Sequence, residues 1–96
     1  MISQQNVPLG YQQISASTLA SATKLTVPAG ANLALIRTEA ASVRWRDDGT
    51  PPTASVGMII TDTDPVFEYS GDLSAIEFIA LSGSPILNVS YYKTSG

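Results

Sequence analysis

The residues of this chain best suited to chemistry are four aspartates, Asp47 and Asp48 in one turn-like segment and Asp62 and Asp64 in another. Acidic loops of this kind supply calcium sites, which gather about six to eight oxygens from carboxylates and backbone carbonyls. The order D-x-D-x-D-G-x5-E of a calcium loop is missing, and aspartate is favoured at turns because its side chain caps nearby N–H groups. Turn formation is therefore the expected role of all four, and no metal or cofactor is expected. Paired carboxylates also raise glycoside hydrolysis, which holds two of them at a set separation. Here the acidic residues lie in or beside turns, except Glu39, Glu68 and Glu77 on strands. Ninety-six residues also leave little material for a sugar-sized cleft. Lys24 and Lys93 have no context that would make either a partner for a nucleophilic serine. The chain has no histidine and no cysteine. That removes the commonest general base, every Ser-His or Cys-His pair, thiolate metal sites and disulfides. An enzyme is not expected.

A second group of residues is suited to contact rather than to reaction. Residues 42–61, SVRWRDDGTPPTASVGMIIT, hold the single tryptophan between two arginines and run into a Pro-Pro pair. Trp45 shares a strand face with Val43 and is expected in the core, where a lone tryptophan of a small domain is its largest piece. Arg44 and Arg46 occupy the other face, free to pair with Asp47 and Asp48 or to reach a partner, since the planar guanidinium is enriched in interfaces. Tyr91 and Tyr92 are adjacent on one strand and so face opposite sides. One belongs to the core, and Tyr92 is the interface candidate. Gln4 and Gln5, in a polar N-terminal arm over residues 1–6, complete the set of expected contact residues.

These groups must be positioned by short strands. Residues 7–12 alternate as a short edge strand that Pro8 keeps at a margin. Residues 15–21 (SASTLAS) read as a loop or a single helical turn. Residues 23–27 have period two, and Pro28-Ala29-Gly30 turns them. Residues 33–38 (LALIRT) and 75–81 (AIEFIAL) are apolar on both faces, as strands covered on both sides would be. Between them lie strands at 43–46, 57–61 and 66–69, separated by Asp48-Gly49, Pro51-Pro52 and the 62–65 turn. Ser82 to Pro85 form a tight loop before a last strand at 86–93. Strands recurring about every ten residues predict an all-β chain: one small antiparallel β-sandwich or jelly-roll-like domain of about eight short strands over residues 7–96.

Composition narrows the partners. Charged residues make up 14% of the chain, against roughly 25% in an average soluble domain. A surface filled by neutral polar and apolar groups suits contact with other protein, because charges are depleted at interface cores. A net charge of −3 with five basic residues leaves no phosphate-neutralising stripe, so nucleic acid is not an expected partner. No apolar run approaches the roughly 20 residues of a membrane helix, and the first residues lack the basic and apolar regions of a signal peptide. Synthesis in a cytoplasm without export is the expectation.

The order of segments LTVPAGA (25–31), VRWRDDGTPPTASVG (43–57), EFIA (77–80) and LNVSYY (87–92) resembles small proteins encoded among the structural genes of tailed bacteriophages. The resemblance covers most of the chain and carries no catalytic residue. It implies a non-enzymatic virion protein, similar to the β-rich decoration or cement proteins of assembled capsids. It also implies self-association, with a trimer favoured, and the major capsid protein or another virion protein as partner. A tail, neck or fibre position and a carbohydrate-binding attachment module are the alternatives.

Overall fold

The computed structural model describes residues 6–94. Eight strands follow one another: β1 (Asn6–Ile14), β2 (Thr23–Lys24), β3 (Leu33–Glu39), β4 (Val43–Arg46), β5 (Met58–Ile60), β6 (Phe67–Tyr69), β7 (Glu77–Ala80) and β8 (Ile86–Thr94). They form two four-stranded antiparallel sheets, in the orders β1-β8-β3-β6 and β2-β7-β4-β5. The pairing is nested. The first strand pairs with the last, the second with the seventh, the third with the sixth and the fourth with the fifth. A long hairpin folded over on itself produces this order, and it is the connectivity of an eight-stranded jelly roll. Its tip is the β4–β5 connection, residues 47–57.

Period-two patterning builds the core between the sheets. Ala34, Ile36 and Thr38 of β3 and Leu87, Val89 and Tyr91 of β8 point inward from one sheet, against Val43, Ile60 and Phe78 of the other. The open ends of so small a sandwich need plugs, and the loops supply them. A 3-10 turn at Thr18–Ala20 buries Leu19 completely, and the β6–β7 connection buries Leu73 and Ile76. Asp72 shapes that connection, accepting from the Ser74 hydroxyl and backbone N–H while its own carbonyl receives the N–H groups of Ala75 and Ile76. Thr38, a buried polar side chain, donates to the Ala41 carbonyl at 2.7 Å.

Several expectations change. Asn6 already belongs to β1, so the strand begins inside the expected arm and runs on to Ile14; residues 1–5 lie outside the described part. The expected strand 23–27 keeps ladder pairing only at Thr23 and Lys24, because the chain then leaves the sheet and Thr26 bonds the Gln12 amide instead. The segments read as apolar on both faces are fully covered on one face only: Leu33 is buried at the start of β3, but Leu35 and Ile79 are half-buried on the outer surfaces of a two-layer structure. Part of the neutral polar surface is also used internally. Asn88 donates to Glu39 and accepts from Gln13 and from the Tyr11 hydroxyl across three strands.

Candidate functional site

The tip between β4 and β5 is held from below by Arg44. Its Nε donates to the Ala54 carbonyl at 3.0 Å and its Nη1 to the Gly57 carbonyl at 2.8 Å. Overlapping those anchors, Thr53 and Val56 exchange two backbone bonds as a small turn of their own. Pro52 is buried beneath it. Gly57 has φ +144°, and a Cβ there would stand 3.1 Å from both the Arg44 Cβ and the Trp45 carbonyl oxygen. Only glycine fits without displacing backbone.

Beside the tip and in the β5–β6 connection, Asp47, Asp48 and Asp64 are engaged locally through their carboxylates. Arg46 grips Asp48 with both Nε and Nη2, the Nε bond being 3.0 Å, and that guanidinium holds the Asp48 carboxyl below its usual range. Asp47 accepts a 2.7 Å bond from the Tyr69 hydroxyl. Burial, and then this carboxylate, push the Tyr69 phenol up to about 12. Asp64 receives the Thr61 N–H at 2.8 Å, which lowers its pKa. Asp62 offers its backbone carbonyl to Arg37. Turn chemistry accounts for these contacts, and among the described residues no three acidic side chains come together as metal ligands.

Trp45 departs from its expected place. It is half-buried at the edge of the core rather than inside it, with its ring stacked on Phe67 at 5.4 Å and edge-on to Tyr69 at 6.0 Å. The reason lies in the strand order: β5 and β6 are edge strands, so the inward face of neighbouring β4 opens sideways at that margin. A groove of about 410 Å³ lies on one side of Trp45, lined by Asp47, Asp48, Val56 and Met58 among others. Another of about 250 Å³ lies between Met58 and Ile59 and the Val66–Phe67 pair. Around them Met58 is 61% exposed, Val56 51%, Val66 50% and Ile59 49%.

Of the expected contact residues, Arg44 and Arg46 come together here, and both are engaged in shaping the tip. Tyr92 lies on the outer face of β8, half-buried and receiving the Ser90 hydroxyl at 3.2 Å, while Tyr91 is in the core as its neighbour's opposite. Gln4 and Gln5 lie outside the described residues. Sequence reasoning missed Val56, Met58, Ile59 and Val66 as surface residues. The available signal was MII, a three-residue strand apolar at every position between polar turns, which is too short to be covered on both faces. It also left open that Val7, Leu9 and Tyr11 all face solvent from β1.

Comparison of the chain with protein-family models, with curated proteins and with solved structures finds no match.

Proposed function

We propose that this chain is a non-enzymatic structural protein of a bacteriophage virion, a decoration or cement protein that self-associates and stabilises the capsid shell. The observation that carries the reading is the placement of the exposed apolar side chains. Val7, Leu9 and Tyr11 lie along β1, at one margin of the sandwich, and Val56, Met58, Ile59 and Val66 lie along the opposite margin. Scattered single hydrophobes are ordinary on a surface, whereas gathered ones mark contact sites. Eight-stranded jelly rolls build viral shells, which supports the setting by analogy of architecture. The resemblance of the segments at 25–31, 43–57, 77–80 and 87–92 to phage structural proteins points the same way. On this reading the chain is made in the host cytoplasm and ends in the virion. It contacts the major capsid protein or a neighbouring virion protein and forms a closed homo-oligomer, with three copies the favoured number. Mass spectrometry of gradient-purified particles of the encoding phage, followed by imaging, tests it. The chain should be present at many copies per particle on the capsid surface. Absence from the particles overturns the reading, and density at the tail, neck or fibre moves it there.

A second reading rests on Trp45. A half-exposed indole beside Asp47 and Asp48 is the kind of surface on which a sugar ring stacks while carboxylates accept its hydroxyls, and jelly rolls also occur among lectins. Saturable tryptophan-fluorescence changes with oligosaccharides would favour an attachment module. A flat titration would remove it.

A further inference from the structure

The edge strands of the two sheets sort into two flanks of different chemistry. Gln12 of β1 holds both the backbone N–H and the hydroxyl of Thr26, and Gly10 lies against Pro28, so β1 shares a flank with the chain leaving β2. The Trp45–Phe67 stack and the groove between Met58 and Val66 join β5 and β6 on the other flank. The β1/β2 flank presents Val7, Leu9 and Tyr11, and with them both lysines of the chain, Lys24 on β2 and Lys93 opposite Val7. The β5/β6 flank presents Met58, Ile59 and Val66, bounded by Asp47, Asp62 and Asp64 in its loops. Among the described residues the one ion pair is Arg46–Asp48, so Lys93 has no acidic partner among them. Lys24 has Glu77 opposite it in the ladder, out of ion-pair range.

We infer that the β1/β2 flank of one copy docks on the β5/β6 flank of the next, a head-to-tail contact. The inference rests on the proposal that the chain self-associates, and it assigns the surfaces. Three properties support this arrangement. Each flank is apolar at its centre, so both lose exposed hydrocarbon on contact. Both lysines lie at the first flank and Asp62 and Asp64 at the second, with Glu77 and Asp72 near Lys24 and Arg37 reaching the Asp62 carbonyl. The cross contact brings those lysines to those aspartates, which a two-fold contact of either flank with itself does not do. Strand direction also agrees. Each sheet has four antiparallel strands, so its two edges run in opposite senses. A copy placed alongside in the same orientation sets its β1 antiparallel to the neighbour's β6, and its β2 antiparallel to the neighbour's β5, which continues both ladders. β1 offers nine residues with one side unpaired. Pro8 and the register shift between Pro8 and Gly10 interrupt it near its start, and from Gly10 to Ile14 it carries none of the charges with which monomeric proteins protect such an edge. Head-to-tail contacts of this kind close into rings when the rotation between copies permits.

The test is a mixing experiment read by light scattering. Val7→Asp on β1 and Met58→Asp on β5 each place a carboxylate at the centre of one flank, at positions 50% and 61% exposed. Tyr11→Asp and Ile59→Asp are the second pair, used if circular dichroism shows that a first variant does not fold. The unaltered chain should be oligomeric. Each variant alone should fall to the 10.1 kDa chain mass, since every contact needs both flanks. An equimolar mixture should give a dimer of one copy of each, because one intact flank of each kind remains and no third copy can add. If the unaltered chain is oligomeric but a folded variant of either flank stays so, or the mixture stays monomeric, the head-to-tail assignment fails and self-association stands. An unaltered chain that is monomeric overturns both.

Discussion

Arg44 stands in the strand as a candidate for outside contact, yet its guanidinium is the part that fixes the tip. Two carbonyls of one loop, Ala54 and Gly57, point at a planar fork that reaches both at once. Charge-assisted bonds of this type contribute about 1.5–3 kcal/mol each, less where solvent competes. Arg44→Met should therefore lower unfolding free energy by about 2 kcal/mol in a denaturant titration. Arg44→Lys should not restore it, because one ammonium cannot span the two acceptors as the fork does. The alternation Val43, Arg44, Trp45, Arg46 was legible in the sequence, and the structure keeps it. What captured Arg44 was not legible, because Ala54 and Gly57 come within reach only when the loop folds back over its own strand. The two buried phenols carry a pH signature. Burial pushes Tyr91 up to about 12, and burial with the Asp47 carboxylate pushes Tyr69 to about 12. An unfolded tyrosine ionises near about pH 10, so the folded state holds these protons more tightly than the unfolded state. Their contribution is complete below about pH 10 and is lost as the pH rises through about 12. Thermal melts from pH 8 upward should show a falling midpoint over that window, and Tyr69→Phe should flatten part of the fall. A midpoint unchanged to pH 12 contradicts the assignment.

The elements carry the difference between a strand that exists and a strand that is covered. Turn chemistry at Asp48-Gly49, at 62–65 and at 82–85 located nearly every strand, because Pro, Gly and Asp punctuate the chain at short intervals. Coverage was misread for residues 33–38 and 75–81. Their apolar outer positions, Leu35 and Ile79, suggested a buried strand, but a two-layer sandwich has no third layer to cover them. The same limit hid MII: Met58 and Ile59 point to opposite faces of an edge strand and are both exposed. Pairing order is a tertiary property that no local pattern carries, so the nesting of first strand with last was beyond the sequence. One connection stores a local cost. Between β3 and β4, Ala40 has φ +74°, a left-handed conformation that disfavours a Cβ by roughly 1–2 kcal/mol. Ala40 is exposed, and its side chain fills no cavity. Ala40→Gly should raise stability by up to about 1 kcal/mol, read as a higher denaturant midpoint at unchanged slope. A loss of stability would mean that the unfolded-state entropy added by glycine outweighs the strain relieved.

At the scale of the molecule, a 10.1 kDa jelly roll leaves its apolar side chains at the two margins where its sheets end. A domain this size stands near the lower limit for folding alone. Contact between margins would add buried hydrocarbon that the single chain lacks, and would make stability depend on concentration. Lysine–aspartate pairs across such a contact would add a salt dependence, because exposed charge pairs are screened over about 8 Å at physiological ionic strength. Many weak contacts repeated on a symmetric shell would then hold firmly through avidity. Self-association is thus the claim on which the virion role and the assignment of flanks both depend. Light scattering on the purified chain, across a dilution series and at low and high salt, measures it directly. The account predicts a discrete multiple of 10.1 kDa, three copies being favoured, that dissociates on dilution sooner at high salt than at low. A mass of 10.1 kDa at every concentration, in either salt, would contradict it.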